Sequence, residues 1–430
     1  MFFSFKFCFL AGLFLCTCCQ ARSGVKAQPL HVAADTVNYT VLGQPKKGEL
    51  IIKDTIELDN KRCVLPEGIT LSFNGGLIKN GTLVGSKTKL KSSGACFDRV
   101  RILGTWDVPV IKSSLFRDLS YDNALKDVMA LSDSSVKNKI IIEEGEYQVT
   151  AYKNGDICVP ITSSTTFILN GTIKLTPNDY RNYYIIHVEG NNITIEGKGA
   201  VIGDKHFHTG DSGEWGMGIS FQNAHHVTLK GLTVKDCWGD CIYVGGESSD
   251  INIEDCLLDH GRRQGISITS ANGVVIKNSI ITNVGGTAPQ YAIDIEPNKG
   301  NTVDNIVIQS VVAKDCVGGF LVYGKAEGAR VGHVSINKSI VMNNTVLAIS
   351  IMKCDVFRME KCKIIQKPVQ RVMHFEDIGD VRVWNNSYHN EGRTSQVFEG
   401  RKRVFTEGNR YTPITISGCG KTSFSNNIEK

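Results

Sequence analysis

Ile219-Ser220-Phe221, Ile242-Tyr243-Val244, Ile266-Ser267-Ile268, Ile293-Asp294-Ile295, Phe320-Leu321-Val322 and Ile349-Ser350-Ile351 read as one unit repeated along the chain. Their starts lie 23, 24, 27, 27 and 29 residues apart. In each block two apolar residues flank a central one of opposite parity, as a period-2 strand with one buried face requires. A second short strand follows all but the last: Val227-Thr-Leu, Ile251-Asn-Ile, Val274-Val-Ile, Ile306-Val-Ile and Val334-Ser-Ile. A period in the twenties, with β-branched strands and Gly/Asn/Asp turns, specifies a solenoid. The predicted fold is all-β, a right-handed parallel β-helix.

The same alignment accounts for the cysteines. Leu232, Cys256, Ser279, Val311, Ser339 and Cys362 form one column of small or apolar side chains pointing into the bore. Cys237 and Cys316 share another column three coils apart, too far for a disulfide at about 4.8 Å per coil. These thiols are expected to be packing residues. No CxxC pair or Cys/His spacing points to zinc, and no metal is assigned. His206-Phe-His208 followed by Asp211 is a weak ligand pattern, since turn histidines are usually just solvated.

A chain of 430 residues with 41% hydrophobic content can bury a long core. Residues 1–21 read as a secretory signal, with Lys6 before the apolar run Phe7 to Leu15 and Cys19-Gln20-Ala21 at the cleavage site. That run is too short for a stable transmembrane span. Leu15-Cys16-Thr17-Cys18 loosely resembles a bacterial lipobox, so Cys18 or Cys19 could carry lipid. Either route exports the protein, to the periplasm, the medium or the cell surface. The formal net charge is +5, and removing Lys6 leaves +4. No basic cluster with interleaved aromatics suggests nucleic acid, and a polysaccharide is the expected partner. Oligomeric state is left open.

Residues 30–110 form a β-rich segment with Gly48-Glu-Leu-Ile-Ile, Ile69-Thr-Leu-Ser-Phe, Gly75-Gly-Leu-Ile and Gly81-Thr-Leu-Val. Leu125, Val128, Met129 and Leu131 then share a helical face, with Ser120 or Asp122 as N-cap, and predict a capping helix. The solenoid is assigned to 115–394 and a polar, irregular cap and tail to 395–430. The helix followed by Ile140-Ile-Ile-Glu-Glu-Gly-Glu-Tyr resembles the start of the pectin-lyase-like superfamily of carbohydrate-active β-helices. Ile193-Thr-Ile-Glu-Gly-Lys-Gly-Ala-Val-Ile-Gly-Asp is similar to a glycine-rich strand pair of the polygalacturonases.

Outward positions of adjacent coils collect the residues that suit a sugar polymer. Trp215, Trp238 and Arg262 share one turn column, with Arg263 in the next and Asp240, Gln264 and Tyr291 in the third. Tyr243 and Asp294 lie in one outward strand column and Glu296 in another. Indole faces stack on sugar rings, arginines pair with carboxylate or sulfate, and two carboxylates divide acid and base roles. Polygalacturonase rungs carry Asn-Thr-Asp, Gly-Asp-Asp-Cys, Gly-His-Gly-Ile-Ser-Ile and Arg-Ile-Lys. The matching stretches here are Trp215-Gly-Met-Gly, Trp238-Gly-Asp-Cys, Arg263-Gln-Gly-Ile-Ser-Ile and Asp294-Ile-Glu. Of the three acids only Asp240 remains, Gln264 replaces the histidine, and Asp294 and Glu296 replace the two cations. The resemblance implies the fold and not the polygalacturonase mechanism.

From chemistry alone, Asp240 is the leading general acid and Asp294 the base that activates water. Both are expected to face solvent. They sit two coils apart, roughly 9.6 Å between backbones, and inward-leaning side chains could reach the ~6.5–9.5 Å of an inverting pair. Glu296 tunes or exchanges roles with Asp294, and Glu214 is a weaker candidate. Arg262 and Arg263 are expected to hold a substrate anion. Trp215, Trp238 and Tyr243 form the platform, with Gln264 and Tyr291 beside it. The leading expectation is a glycoside hydrolase on a complex or acidic polysaccharide, without a cofactor. The alternatives are a polysaccharide lyase or uronate epimerase, with Arg263 or Tyr243 as base and the carboxylates on calcium, and a non-catalytic glycan-binding or adhesion solenoid.

Overall fold

The computed structural model describes residues 35–121, 124–133, 137–210, 213–366, 372–390, 397–399, 402–403 and 414–429. The signal segment 1–21 lies outside them, as do Asp122 and Asp211. No helix among the described residues is long and apolar enough to cross a membrane.

The repeated blocks stack as their parity requires. Ile219 pairs with Ile242, Ile242 with Ile266, Ile266 with Ile293, Ile293 with Phe320 and Phe320 with Ile349, all in parallel. Their flanking residues are fully buried while the central positions point away from the bore. The second strands stack likewise, Val227 on Ile251 on Val274 on Ile306 on Val334. Each coil also has a third short wall that the sequence reading did not separate. It runs through Thr233–Lys235, Leu257–Asp259, Ile280–Thr282 and Val312–Lys314 to Ile428–Glu429. These three-residue strands bury one side chain each (Val234, Leu258, Ile281, Ala313), too little for a periodicity signal.

Corners between walls are single residues in the left-handed region. Gly231, Asp255, Asn278, Ser310, Lys338, Lys361, Asn385 and Asn426 mark the same corner in successive coils, with φ between 50° and 79°. Gly, Asn and Asp tolerate that conformation best, which explains much of the turn composition. The following column is inward, as expected. Its polar members cap backbone donors of the coil before: Ser279 Oγ accepts from Cys256 N–H at 3.2 Å and Asn386 Oδ1 from Cys362 N–H at 2.8 Å. The cysteines Cys237, Cys256, Cys316 and Cys362 are buried and free.

Both ends depart from expectation. The β-rich segment is itself a stack of parallel strands, with Thr55–Glu57, Arg62–Val64 and Thr70–Phe73 all on Leu77–Lys91, and that strand on Phe97–Asp107. The main sheet begins at Val110–Lys112, which pairs with Asn138–Ile142. The expected N-terminal capping helix reduces to Ala124–Met129, between the two stacks. Six residues are too few to be stable alone. Tertiary bonds hold it: Asp127 accepts from Ile102 N–H at 2.9 Å and from the Tyr121 hydroxyl at 3.1 Å. The segment expected to be irregular from residue 395 contributes a further coil. Ile414–Ser417 lies on Met373–Trp384, as does Lys421–Ser425. In Ile414–Ser417 the outward polar residues hid an ordinary strand parity.

Replacing Ile266 by Ala removes a fully buried side chain from a bore where neighbours are fixed by register. The loss should be about 2–5 kcal/mol, read as a lower urea midpoint at unchanged slope. An unchanged midpoint would contradict the assigned inward face.

Candidate active site

Register fixes which side chains share the outer face of the first wall. One column runs His187, Ser220, Tyr243, Ser267, Asp294 and Leu321. Glu296, two residues beyond Asp294, falls on the same outer face, next to Tyr323 of the following coil. Asp240 stands in the turn before Ile242, close enough to Asp294 for their charges to interact.

Asp240 and Asp294 do not face solvent as expected. They are 0% and 1% exposed. Parity does turn Asp294 away from the bore, but neighbouring side chains cover it. Ser267 lies beside it in the preceding coil and Leu321, 6% exposed, in the next. The Arg263 guanidinium reaches in from its turn, with Nη1 3.5 Å from Asp240 Oδ2 and Nε 3.4 Å from Glu214 Oε2. Its own side chain is 17% exposed, whereas Glu214 is 43% exposed. The structure therefore brings Glu214, Asp240, Asp294 and Glu296 together around one arginine.

Four carboxylates exceed what one cation can balance, and the buried members are shifted toward their protonated forms. Burial raises Asp240 to about 6, with Arg263 pulling the other way. Burial, and next the charge of Glu296, pushes Asp294 well above the carboxylate range. Glu296 is also raised by burial and shares a hydrogen bond with Asp294. Burial works against the Arg263 cation, but Asp240, Asp294, Glu214 and Glu296 carry its pKa above the ordinary value.

Gln264 is a buried part of this cluster and not a sugar contact. Its Oε1 accepts from Tyr291 N–H at 2.7 Å, which fixes the amide so that Nε2 donates to Asp294 Oδ2 at 2.8 Å. A proton on Asp294 is thereby confined to Oδ1, the oxygen left without a protein hydrogen bond of ordinary geometry.

Trp238 also leaves the expected platform, and Arg262 the expected anion site. Trp238, 7% exposed, stacks on the His208 ring at 3.9 Å, and the Arg262 guanidinium covers its other face at 3.6 Å. Arg262 Nη1 further donates to Gly213 O at 3.0 Å and Trp238 O at 3.3 Å. His208 in turn bonds the buried Asp204 at 2.9 Å, and Asp204 accepts from the Tyr183 hydroxyl. His206 turns away to Asp236 at 3.1 Å, so the two histidines share no ligand position. Tyr291 is nearly buried against Gly318, where a Cβ would lie 2.4 Å from the ring. Trp215 remains 43% exposed, and the Tyr243 hydroxyl bonds Thr269 Oγ1 at 2.8 Å. The sequence reading left Ser267 without a role, though its hydroxyl supports the Asp240 carboxylate. His187 and Tyr184, in ring contact at 5.2 Å, were passed over entirely. Their column membership with Ser220 and Met217 was the available signal.

Residues 140–308 and 217–390 match the family model of the right-handed beta helix region, together spanning more than half of the chain. Among curated proteins, the uncharacterized protein YclG of Bacillus subtilis strain 168 is 31% identical over 173 residues, covering 36% of this chain and 30% of that protein. The SPbeta prophage-derived uncharacterized protein YorA of the same strain is 25% identical over 164 residues, covering 33% and 28%. The chain thus spans under a third of the length of the curated relatives it matches. Among solved structures, the A-module of the Azotobacter vinelandii mannuronan C-5 epimerase AlgE6 is 12% identical with a TM-score of 0.49, covering 74% of this chain and 99% of that one.

Asp240 binds its proton more tightly in the folded than in the unfolded chain. The associated stability is complete below the ordinary value of 3.8 and is lost as pH rises through about 6. This is worth up to ~3 kcal/mol. Urea midpoints should fall with rising pH across that window, and less steeply in Asp240→Asn. Parallel curves for the two proteins would assign the dependence to other groups.

Proposed function

The chain belongs to the right-handed β-helix family, and on that scaffold we propose that it acts as an exported glycoside hydrolase that cleaves a polysaccharide by carboxylate acid/base chemistry. The observation that carries this reading is the buried Asp294 with the half-buried Glu296 two residues on, set beside Arg263 and the exposed Glu214. An acid that must protonate a glycosidic oxygen near neutral pH needs a raised pKa, and burial supplies it here.

In this mechanism Glu296, the half-buried member of the pair, donates its proton to the glycosidic oxygen as the bond to the anomeric carbon breaks. The donated proton is the one that Glu296 shares with Asp294, and both are then carboxylates. Water attacks the anomeric carbon and gives its proton to Glu214, the ion-pair partner of Arg263, and that proton returns to the Asp294–Glu296 pair through solvent before the next turnover. Asp240 anchors Arg263 from the buried side, so its role is positional and not that of the general acid expected from sequence. Trp215 offers the apolar face for a sugar ring, and Tyr243 stands in the same outward column as Asp294.

A lyase would need Tyr243 or Arg263 to take up a proton. Burial raises Tyr243, and its surrounding carboxylates raise Arg263, so both stay in their acid forms. Arg263 also occupies the centre of the carboxylates that calcium would need to share. These facts favour hydrolysis over elimination.

Incubation with a panel of polysaccharides should release reducing ends without the ultraviolet absorbance of an unsaturated uronate. Glu296→Gln and Asp294→Asn should each lower turnover by about a hundredfold or more, while a chelator leaves the rate unchanged. Activity abolished by chelation, restored by calcium and accompanied by unsaturated product would make the protein a lyase. Tight glycan binding with no product from any polymer would make it a non-catalytic solenoid.

A further inference from the structure

Resting on the hydrolase reading, we propose that the glycan is uncharged where it meets Glu214 and Glu296, a neutral polysaccharide and not one bearing uronate or sulfate. A buried or half-buried anion on a substrate needs a paired cation at the site.

Both arginines expected to supply that charge are engaged within the protein. Arg262 lies flat on Trp238 and donates to the carbonyls of Gly213 and Trp238. Arg263 is enclosed by Glu214, Asp240, Asp294 and Glu296, more negative charge than it can neutralise. Four carboxyl groups thus surround one guanidinium, which leaves no cation free for a substrate anion. A uronate would approach excess negative charge across a poorly solvated surface.

The flanks agree. His187, at one end of the column, is lowered by burial and stays neutral. At the other end Lys325 Nζ is held by Glu376 Oε1 at 2.8 Å, and the same carboxylate takes His374 Nε2 at 3.2 Å. Just beyond Glu296 the chain enters a turn that borders an open cleft of about 400 Å³. Ser270, Asn272, Asn301 and Thr302 line it with hydroxyl and amide groups, alongside the carboxylates of Glu247 and Asp304. No lysine, arginine or histidine contributes to that lining. Amides, hydroxyls and carboxylates match the hydroxyls of a neutral sugar ring. The cations beside the cleft are also engaged, Lys299 with Glu327 at 2.6 Å and Arg330 with Asp304 and Asp355, and the exposed Arg181, on the coil before Glu214, is included in the test.

Affinity electrophoresis in gels containing polysaccharide reads binding without turnover, so Glu296→Gln is the probe, with Asp294→Asn as a second inactive variant in case the first misfolds. The gels hold polyuronates and sulfated glycans, each beside its carboxyl-reduced or desulfated form, plus xylan and mixed-linkage glucan. At least one neutral polymer should retard both variants, about tenfold more strongly than its charged counterpart, and the retardation should survive added salt. Preferential retardation by a charged polymer overturns the proposal, whether or not Arg181→Gln abolishes it. Retardation by no neutral polymer overturns it as well. Neutral binding without wild-type release of reducing ends sinks the hydrolase reading and leaves this one standing. Turnover of a polyuronate does the reverse.

Discussion

Each coil of this chain is stabilised only by the coils on either side of it. A wall such as Ile266–Ile268 has three residues and cannot bury its own apolar face or satisfy its own backbone. Parallel pairing at a fixed spacing supplies both. The register from Ile219 to Ile349 is therefore the constraint on which everything else rests, because a slip of one residue would exchange bore and surface along the entire wall. The single left-handed corners protect that register by turning the chain within one residue.

The candidate site uses this rigidity in an unusual way. Its acids come from three different turns and one strand, so they approach each other only because the coils stack. Burying carboxylates is unfavourable unless they are paired or protonated. Here one arginine provides partial pairing, and burial holds Asp294 and Glu296 toward their protonated forms. The cluster thus trades stability for a proton held at a defined place, with Gln264 selecting the oxygen through the fixed direction of its amide. Elsewhere on the face, the stack of Tyr183, His208, Trp238 and Arg262 shows aromatic groups absorbed into structure that a sugar platform would have needed exposed.

Much of the fold was legible because bore positions are uniformly apolar and the parity of Ile293-Asp294-Ile295 leaves no second interpretation. The short third wall and the final coil at Ile414–Ser417 were not legible, since one buried side chain per strand is a weak signal. At the site, column membership correctly brought Asp240, Asp294, Glu296 and Arg263 together. Exposure was misjudged. Pointing away from the bore is a property of backbone parity, whereas contact with water depends on side chains from neighbouring turns, such as Arg263 over Asp240 or Leu321 beside Asp294. The same limit applies to Trp238, whose partner His208 arrives from a turn thirty residues earlier.

The block spacing grows from 23 to 29 residues while the register never breaks. The surplus is extruded where turns leave the walls, at 296–301 and 324–329 among others. Insertions at those corners are thus nearly free of consequence for folding, whereas gain or loss of one whole coil between Gln222 and Asp294 would leave a sound solenoid with its acids one storey out of alignment. Lineages carrying this scaffold can therefore elaborate the rim above the acids by lengthening turns, but they cannot change the number of storeys between those acids without parting the carboxylates from Arg263. The site, and not the fold, sets the count.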